Sequence, residues 1–534
     1  MNMNDEETVA LIAGGHTFGK SHGAAPVSHQ GELPENAPLE QQGLGYKSDY
    51  KSGMAEDTTT SGLEGAWTYE PTQWDNNYWE NLFGYEWECI KGPGGKSQWA
   101  PKNVEPKLRD AHVEGKFHKP MMFTTDIALK EDPIYAPISK YFYDNPKKFQ
   151  QAFSKAWYKL LHRDMGPSTR LLGPEVPPSQ LFQDPIPELD HVLIDKHDIE
   201  LLKTSILAPV KTSAKTERIF SKIMGKSLTL TSAQLIKTAW ASASTFRQTD
   251  FRGGANGARI RFTPQRKWEV NDPDELDSVL AHLEAVQRNF NENVKNMEAN
   301  RRVSMADLIV LAGCAGLEVA ALEAGHKNVR VPFTPGRMDA VEEMTDVDSF
   351  SFLEPVADGF RNYYKAEKTD TRPEELLIDH AHKLTLTAPE MVVLVAGLRV
   401  VGATSGDSSI GVMTEKPGAL TNDFLLNLLS MDYEWEPMPN KKEGDDVNNI
   451  LYNGKVRSTG KDKWTASRVD LAIGHQAELR AIAEFYACDD SSAIFIQDFV
   501  KTFVKVMELD RFDIKKDGHI KTINETIQEA KNGD

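Results

Sequence analysis

The chain has 534 residues, 40% of them hydrophobic and 26% charged, and a formal net charge of −18. That length allows two or more domains with substantial cores, and the charge argues against a nucleic-acid or anionic-membrane surface. No apolar run approaches the roughly 20 residues of a membrane span, the acidic start MNMNDEET is unlike a secretory signal, and three scattered cysteines fit a reducing, cytoplasmic setting.

The first predicted helix lies in ETVALIAGGHTFGKSHG, residues 7–23. Asn4 or Asp5 can cap it, and Val9, Ile12, Ala13 and His16 fall on one stripe. Gly14 and Gly15 leave bare backbone beside His16, where a flat, bulky group can approach. The stretch 91–119, rich in Gly, Pro, Lys and His, reads as a long surface loop. Helical spacing of apolar residues marks 147–162, 274–294, 303–323, 388–402 and 477–487. Strand candidates are few: RIRF (259–262) and segments near 449–457. The run GPEVPPSQLFQDPIPELD (173–190) has five prolines and no helical period, which is a linker signal. The expectation is an all-α, mostly helical protein with regions 1–172 and 191–513, a linker at 173–190 and a polar tail at 514–534.

The chain repeats itself. PEMVVLVAGLRVVGATSG (389–406) matches the opening helix, pairing Glu7 with Glu390, Gly14 with Gly397 and His16 with Arg399. DNNYWENLFGYEWE (75–88) matches TNDFLLNLL and YEWE within 421–436, Trp67 faces Met413, TTDIAL (124–129) matches RVDLAI (468–473), and FSKAWYKL (153–160) matches FVKTFVKV (499–506). The order is the same throughout, and nothing in the first region corresponds to 200–385, so the first module looks like half a module. It keeps an imidazole where its mate carries a guanidinium, which cannot ligate a metal.

A single histidine on such a helix can hold haem iron; the plainer alternative is a hydrogen-bonded core histidine. A ligating imidazole needs a carboxylate on its second nitrogen, and Asp126, in the apolar segment TTDIAL, is the candidate. Trp67 can pack on the ring and donate its indole N–H to that carboxylate. The bland alternatives are a core Trp67 and a helix-capping Asp126. In the second copy Asp470 can pair with Arg399. A zinc site of His16 and His22 lacks HExxH spacing.

The motifs GGHTFGKSHGA, QWDNNYWENLFGYEWE, KAWYKLLHRDMGP, FRGGANGARIRF, WEVNDP and PFTPGRMDA together resemble the catalase-peroxidases, bifunctional haem enzymes with two copies of the plant-type peroxidase fold. The resemblance implies that His16 is the axial ligand of haem b, with Asp126 and Trp67 completing a proximal triad. Lys20 and His22 fall where the family runs along the haem edge, although each also suits a solvated turn. Ser61 resembles a residue near the propionates and substrate channel, and Arg163 the mobile arginine that supports catalase turnover. The implied activity is disproportionation of hydrogen peroxide and peroxide-driven oxidation of small donors through a ferryl state, in a homodimer or homotetramer.

Two departures qualify that reading. The distal motif RxxWHSAGTYR occurs once, as KTAWASASTFR (237–247), with Lys237 and Ala241 at the arginine and histidine positions. The second copy is therefore expected to be haem-free. Met1 falls on the methionine of the family's Trp–Tyr–Met cross-link, but the Trp and Tyr are not in the chain. The chain thus reads as the C-terminal two-thirds of such an enzyme, weakly active or inactive alone, and periplasmic if a preceding segment carries a signal. The rival reading is a non-catalytic fragment or subunit that completes a haem site with a separate N-terminal polypeptide.

Overall fold

The computed structural model describes residues 1–33, 35–41, 47–210, 230–438 and 447–514, so the expected tail lies outside the described residues from 515 onward. The chain forms two compact units, Met1–Arg163 and Asp164–Asp534.

In unit 1, α1 (Asp5–His16) begins in a capping box. The Asn4 side chain accepts from the Glu7 N–H, and the Glu7 carboxylate accepts from the Asn4 N–H, which satisfies two orphan amides. With α2 (Asn77–Gly84), α3 (Thr124–Glu131), α4 (Tyr135–Asp144) and α5 (Pro146–His162) it encloses a core that includes Val9, Ala13, Trp67, Tyr78, Trp79 and Phe149. The supposed loop at 91–119 is largely hairpins. β1 (Trp87–Lys91) pairs with β2 (Ser97–Pro101), and β3 (Leu108–Arg109) with β4 (Phe117–His118). Its glycines and prolines are turn residues: Gly95, at φ 78°, supplies the left-handed position that closes the first hairpin.

Unit 2 is built from α6 (Lys196–Leu207), α7 (Ser232–Ala243), α8 (Pro273–Asn291), α9 (Met305–Glu323), α10 (Pro373–Lys383), α11 (Ala388–Val400), α12 (Asp423–Leu429), α13 (Arg468–His475), α14 (Ala477–Tyr486) and α15 (Ser492–Met507). One exclusion made above needs correcting: α9 is long and apolar enough to cross a membrane by length and composition, and 89% of its most apolar window is buried inside the protein. It packs closely on α7 because Gly313 carries no Cβ, which would stand 2.4 Å from the Ala239 Cβ.

RIRF is not a strand. Arg259–Arg261 is a 3-10 turn, entered through a left-handed Ala258 at φ 48°. Its arginines reach backbone carbonyls, Arg259 that of Pro185 and Arg261 that of Ala340, both at 2.7 Å, so the alternation reflects hydrogen bonding and not a pleat. Near 449–457 the strand expectation holds: β8 (Tyr452–Val456) is the middle strand between β7 (Tyr433–Pro437) and β9 (Asp462–Ala466). A pair of two-residue strands, β5 (Ala357–Asp358) and β6 (Tyr363–Tyr364), precedes that sheet in sequence. The proline-rich run belongs to unit 2 and is pinned there, since Asp184 accepts from Arg252 Nη2 at 2.7 Å and from the Gly253 amide at 3.2 Å. Burial alone would push the Asp184 carboxyl up; the Arg252 and Arg259 guanidiniums outweigh it and hold it below the usual carboxylate range.

Candidate active site

His16 ends α1, where its ring can face out of the helix. Its Nδ1 lies 2.7 Å from Asp126 Oδ1, and the imidazole stacks on Trp67 with centroids 4.0 Å apart and planes 11° off parallel. Trp67 Nε1 donates to Asp126 Oδ2 at 2.8 Å. An ionised carboxylate only accepts, so Nδ1 carries a proton, and in the neutral imidazole that tautomer leaves the lone pair on Nε2. Among the described residues Nε2 has no hydrogen-bond partner, and the His16 side chain is 24% exposed while that of Asp126 is fully buried. Trp67 is also core, and Asp126 also caps α3 by accepting from the Phe123 amide at 2.7 Å. The bland readings of both residues hold, and the contacts that the chemical reading requires are present beside them.

The two glycines beside His16 have different uses. A Cβ on Gly14 would stand 2.1 Å from Phe153, so Gly14 serves helix packing against α5. A Cβ on Gly15 would meet nothing within 4 Å. Only the Gly15 side offers open backbone beside the imidazole.

Tyr78 escaped the sequence reading. It is fully buried on α2 and its hydroxyl donates to Asp126 Oδ1 at 2.7 Å. Burial, followed by the Asp126 charge, pushes the phenol well above its usual range and keeps it a donor. The available signal was the repeat itself, which sets Phe424 opposite Tyr78. Phe123 adds an edge contact to the imidazole, with centroids 5.5 Å apart.

Lys20, His22 and Ser61 gather on a neighbouring pair of loop segments joined by the bridges Ser21–Gly65 and Gly23–Thr59. Lys20 pairs with Glu64, which also accepts from the Gly23 amide at 2.7 Å, so Lys20 is tied down and not merely solvated. Ser61 Oγ is 2.6 Å from Ser21 Oγ. Burial first, then the Lys20 charge, lowers the His22 imidazole below its ordinary value. Arg163 follows the last residue of α5, and no hydrogen bond of His16, Trp67 or Asp126 goes to it. Met1 is 76% exposed ahead of α1, a helix of 12 residues that ends at His16. Among the described residues no group of three or more His, Cys, Asp or Glu side chains is placed to hold a bare metal ion.

The second copy shows the same frame without the imidazole. Arg399 Nε donates to Asp470 Oδ1 at 2.9 Å with both side chains fully buried, the pairing the repeat predicts. Its Nη1 and Nη2 donate to the carbonyls of Phe360 and Gly359 at 2.7 and 2.8 Å. Phe360, fully buried, packs on Trp240 at 5.0 Å between centroids, so the β5–β6 turn fills the space between α7 and α11. Lys237 is held by Asp272 and Glu275 at 2.8 and 2.7 Å, and Ala241 is buried.

The chain matches the family model described as peroxidase over residues 1–145 and 215–489. It is 54% identical to the catalase-peroxidase of Rhodopirellula baltica over 96% of this chain and 57% of that protein. It is likewise 54% identical to the catalase-peroxidases of Hahella chejuensis and Symbiobacterium thermophilum, over 96% of this chain and 67% of each. The chain therefore spans 57 to 67% of the length of these relatives.

Proposed function

Because the chain belongs to the peroxidase family, and within it to the catalase-peroxidases, we propose that unit 1 supplies the proximal side of a haem b pocket, with His16 as axial ligand. The observation that carries this reading is the free Nε2 of an imidazole whose Nδ1 proton is held by a buried carboxylate. Such a hydrogen bond fixes the tautomer and raises ligand basicity.

The donor set suits haem iron: one imidazole nitrogen, open backbone at Gly15 and a stacked indole that fixes the ring plane. Haem supplies the redox chemistry toward peroxide. The chain's own part is to orient the imidazole through Trp67, hold its Nδ1 proton on Asp126 and keep that carboxylate out of water. Lys20, His22 and Ser61 would line the haem edge, and Arg163 would act in catalase turnover. In the whole protein the reaction would be disproportionation of hydrogen peroxide and peroxide-driven oxidation of small donors, in a homodimer or homotetramer, in the cytoplasm or periplasm.

The test is a hemin titration of the purified chain followed at the Soret band, with His16→Ala beside it. A ferric band that depends on His16 is expected; an identical band in the variant overturns the assignment.

One observation favours a second reading, in which the chain completes its site with a separate polypeptide. Trp157 and Leu161 on α5 are 45% and 50% exposed, whereas Phe503 and Met507 at the matching positions of α15 are 0% and 1% exposed. Large apolar side chains left open on a packing face suit an interface. A polypeptide that co-purifies and buries Trp157 would support this reading; unchanged Trp157 exposure would sink it.

A further inference from the structure

Asp126 is the junction of unit 1, and each of its two oxygens meets two donors. Oδ2 accepts from Trp67 Nε1 at 2.8 Å and from the Phe123 amide at 2.7 Å, both of which hold the carboxylate in place. Oδ1 is shared between His16 Nδ1 and the Tyr78 hydroxyl, each at 2.7 Å. A carboxylate offers about four lone-pair sites, and all four are taken.

Two donors on one oxygen compete for its charge, so each receives a weaker hydrogen bond than it would alone. We propose that Tyr78 is a positioning residue that sets how strongly Asp126 draws on the His16 N–H, and through it the donor strength of Nε2. The second copy supports this. Where Arg399 replaces the imidazole, Phe424 replaces Tyr78, and Asp470 Oδ1 is left to the guanidinium. Phe424 is fully buried, so a phenyl ring fits this place in the frame and the hydroxyl is not needed for packing. The hydroxyl accompanies the imidazole, not the fold.

This inference rests on the reading of His16 as a ligand, and its test separates the two. Tyr78→Phe in the full chain is compared with wild type by NMR of isotopically labelled histidine and tryptophan, without hemin. Removing the competing donor should move the His16 Nδ1–H signal downfield, while the Trp67 Nε1–H signal and the unfolding midpoint report that the frame is intact. With hemin bound, the ferrous iron–histidine stretching band should rise in the same variant. An unmoved Nδ1–H signal in the folded variant overturns the proposal, and so does an unmoved stretching band where hemin binds through His16. If hemin gives no His16-dependent band, the ligand reading fails while the hemin-free measurement still decides what Tyr78 does.

Discussion

In unit 1 the carboxylate in the first turn of α3 faces an imidazole, an indole and a phenol; in unit 2 the matching carboxylate on α13 faces a guanidinium, with Met413 and Phe424 at the other two positions. Around these differences the frame is the same. Gly14 against Phe153 is repeated as Gly397 against Phe499. Glu7 reaches Lys159 at 2.7 Å, and Glu390 reaches Lys505 at 2.8 Å. Asn81 and Asn427 each donate at 2.9 Å to the carbonyl of the residue that is Trp67 in one copy and Met413 in the other. Contacts that hold helices in place are repeated in both copies, and of the four groups joined around Asp126 only the carboxylate is. In the second copy that carboxylate sits in a buried ion pair.

The largest test of that comparison is Arg399→Met. It leaves Asp470 buried without its counter-charge, which costs about 3–5 kcal/mol; urea unfolding with segment-resolved hydrogen exchange should place the loss in unit 2. His16→Met, at a side chain 24% exposed, should cost far less, and equal losses would break the contrast.

Acid provides a second handle, through a buried carboxylate of unit 2. Burial alone would push the Asp358 carboxyl up, but Arg361 and His380, with the Arg361 and Trp240 hydrogen bonds, outweigh it and hold the group below its ordinary range. A folded-state pKa below the unfolded one gives stability that is present above the unfolded value and lost as pH falls through the folded one. Asp358→Asn should therefore cost about 1.5–3 kcal/mol at neutral pH, as expected for hydrogen bonds to a charged group, and should flatten the acid limb of unit 2 alone.

Gly14→Ala and Gly397→Ala sharpen the shared part of the comparison. Each forces a methyl into a phenylalanine ring, so each should cost about 1–3 kcal/mol by overpacking, read as a lower urea midpoint in its own unit. Unequal losses would mean that the two helix pairs are not the same joint. Lys159→Met and Lys505→Met should have the smallest effects, under about 1 kcal/mol each, because both pairs are partly open to water.

The long helices were legible because their apolar spacing is regular, and α1, α5, α8, α9, α11 and α14 lie where that spacing put them. His16 and Trp67 were legible for a different reason, since the repeat changes them to Arg399 and Met413 where the packing is kept, and Asp126 because it is a carboxylate in an apolar segment. RIRF misled because alternating arginines imitate a pleat, and the 91–119 hairpins were hidden because their turn residues outnumber their strand residues. Tyr78 was hidden by its neighbours. Opposite Phe424 in an aromatic run, a tyrosine reads as core until its hydroxyl is seen on Asp126. Phe360 had no counterpart in unit 1 to set it against.

Phe360 also bears on the history of the second unit. Restoring histidine at Arg399 by a single substitution would return an imidazole to a helix end that faces a packed phenylalanine, not a slot. The ring against Trp240 and the β5–β6 turn behind it would remain, and so would a methionine at the position that is an indole in unit 1. Each of these would have to change before a flat cofactor could enter. The filled space makes a cofactor site in unit 2 a matter of several changes at once, not of one substitution.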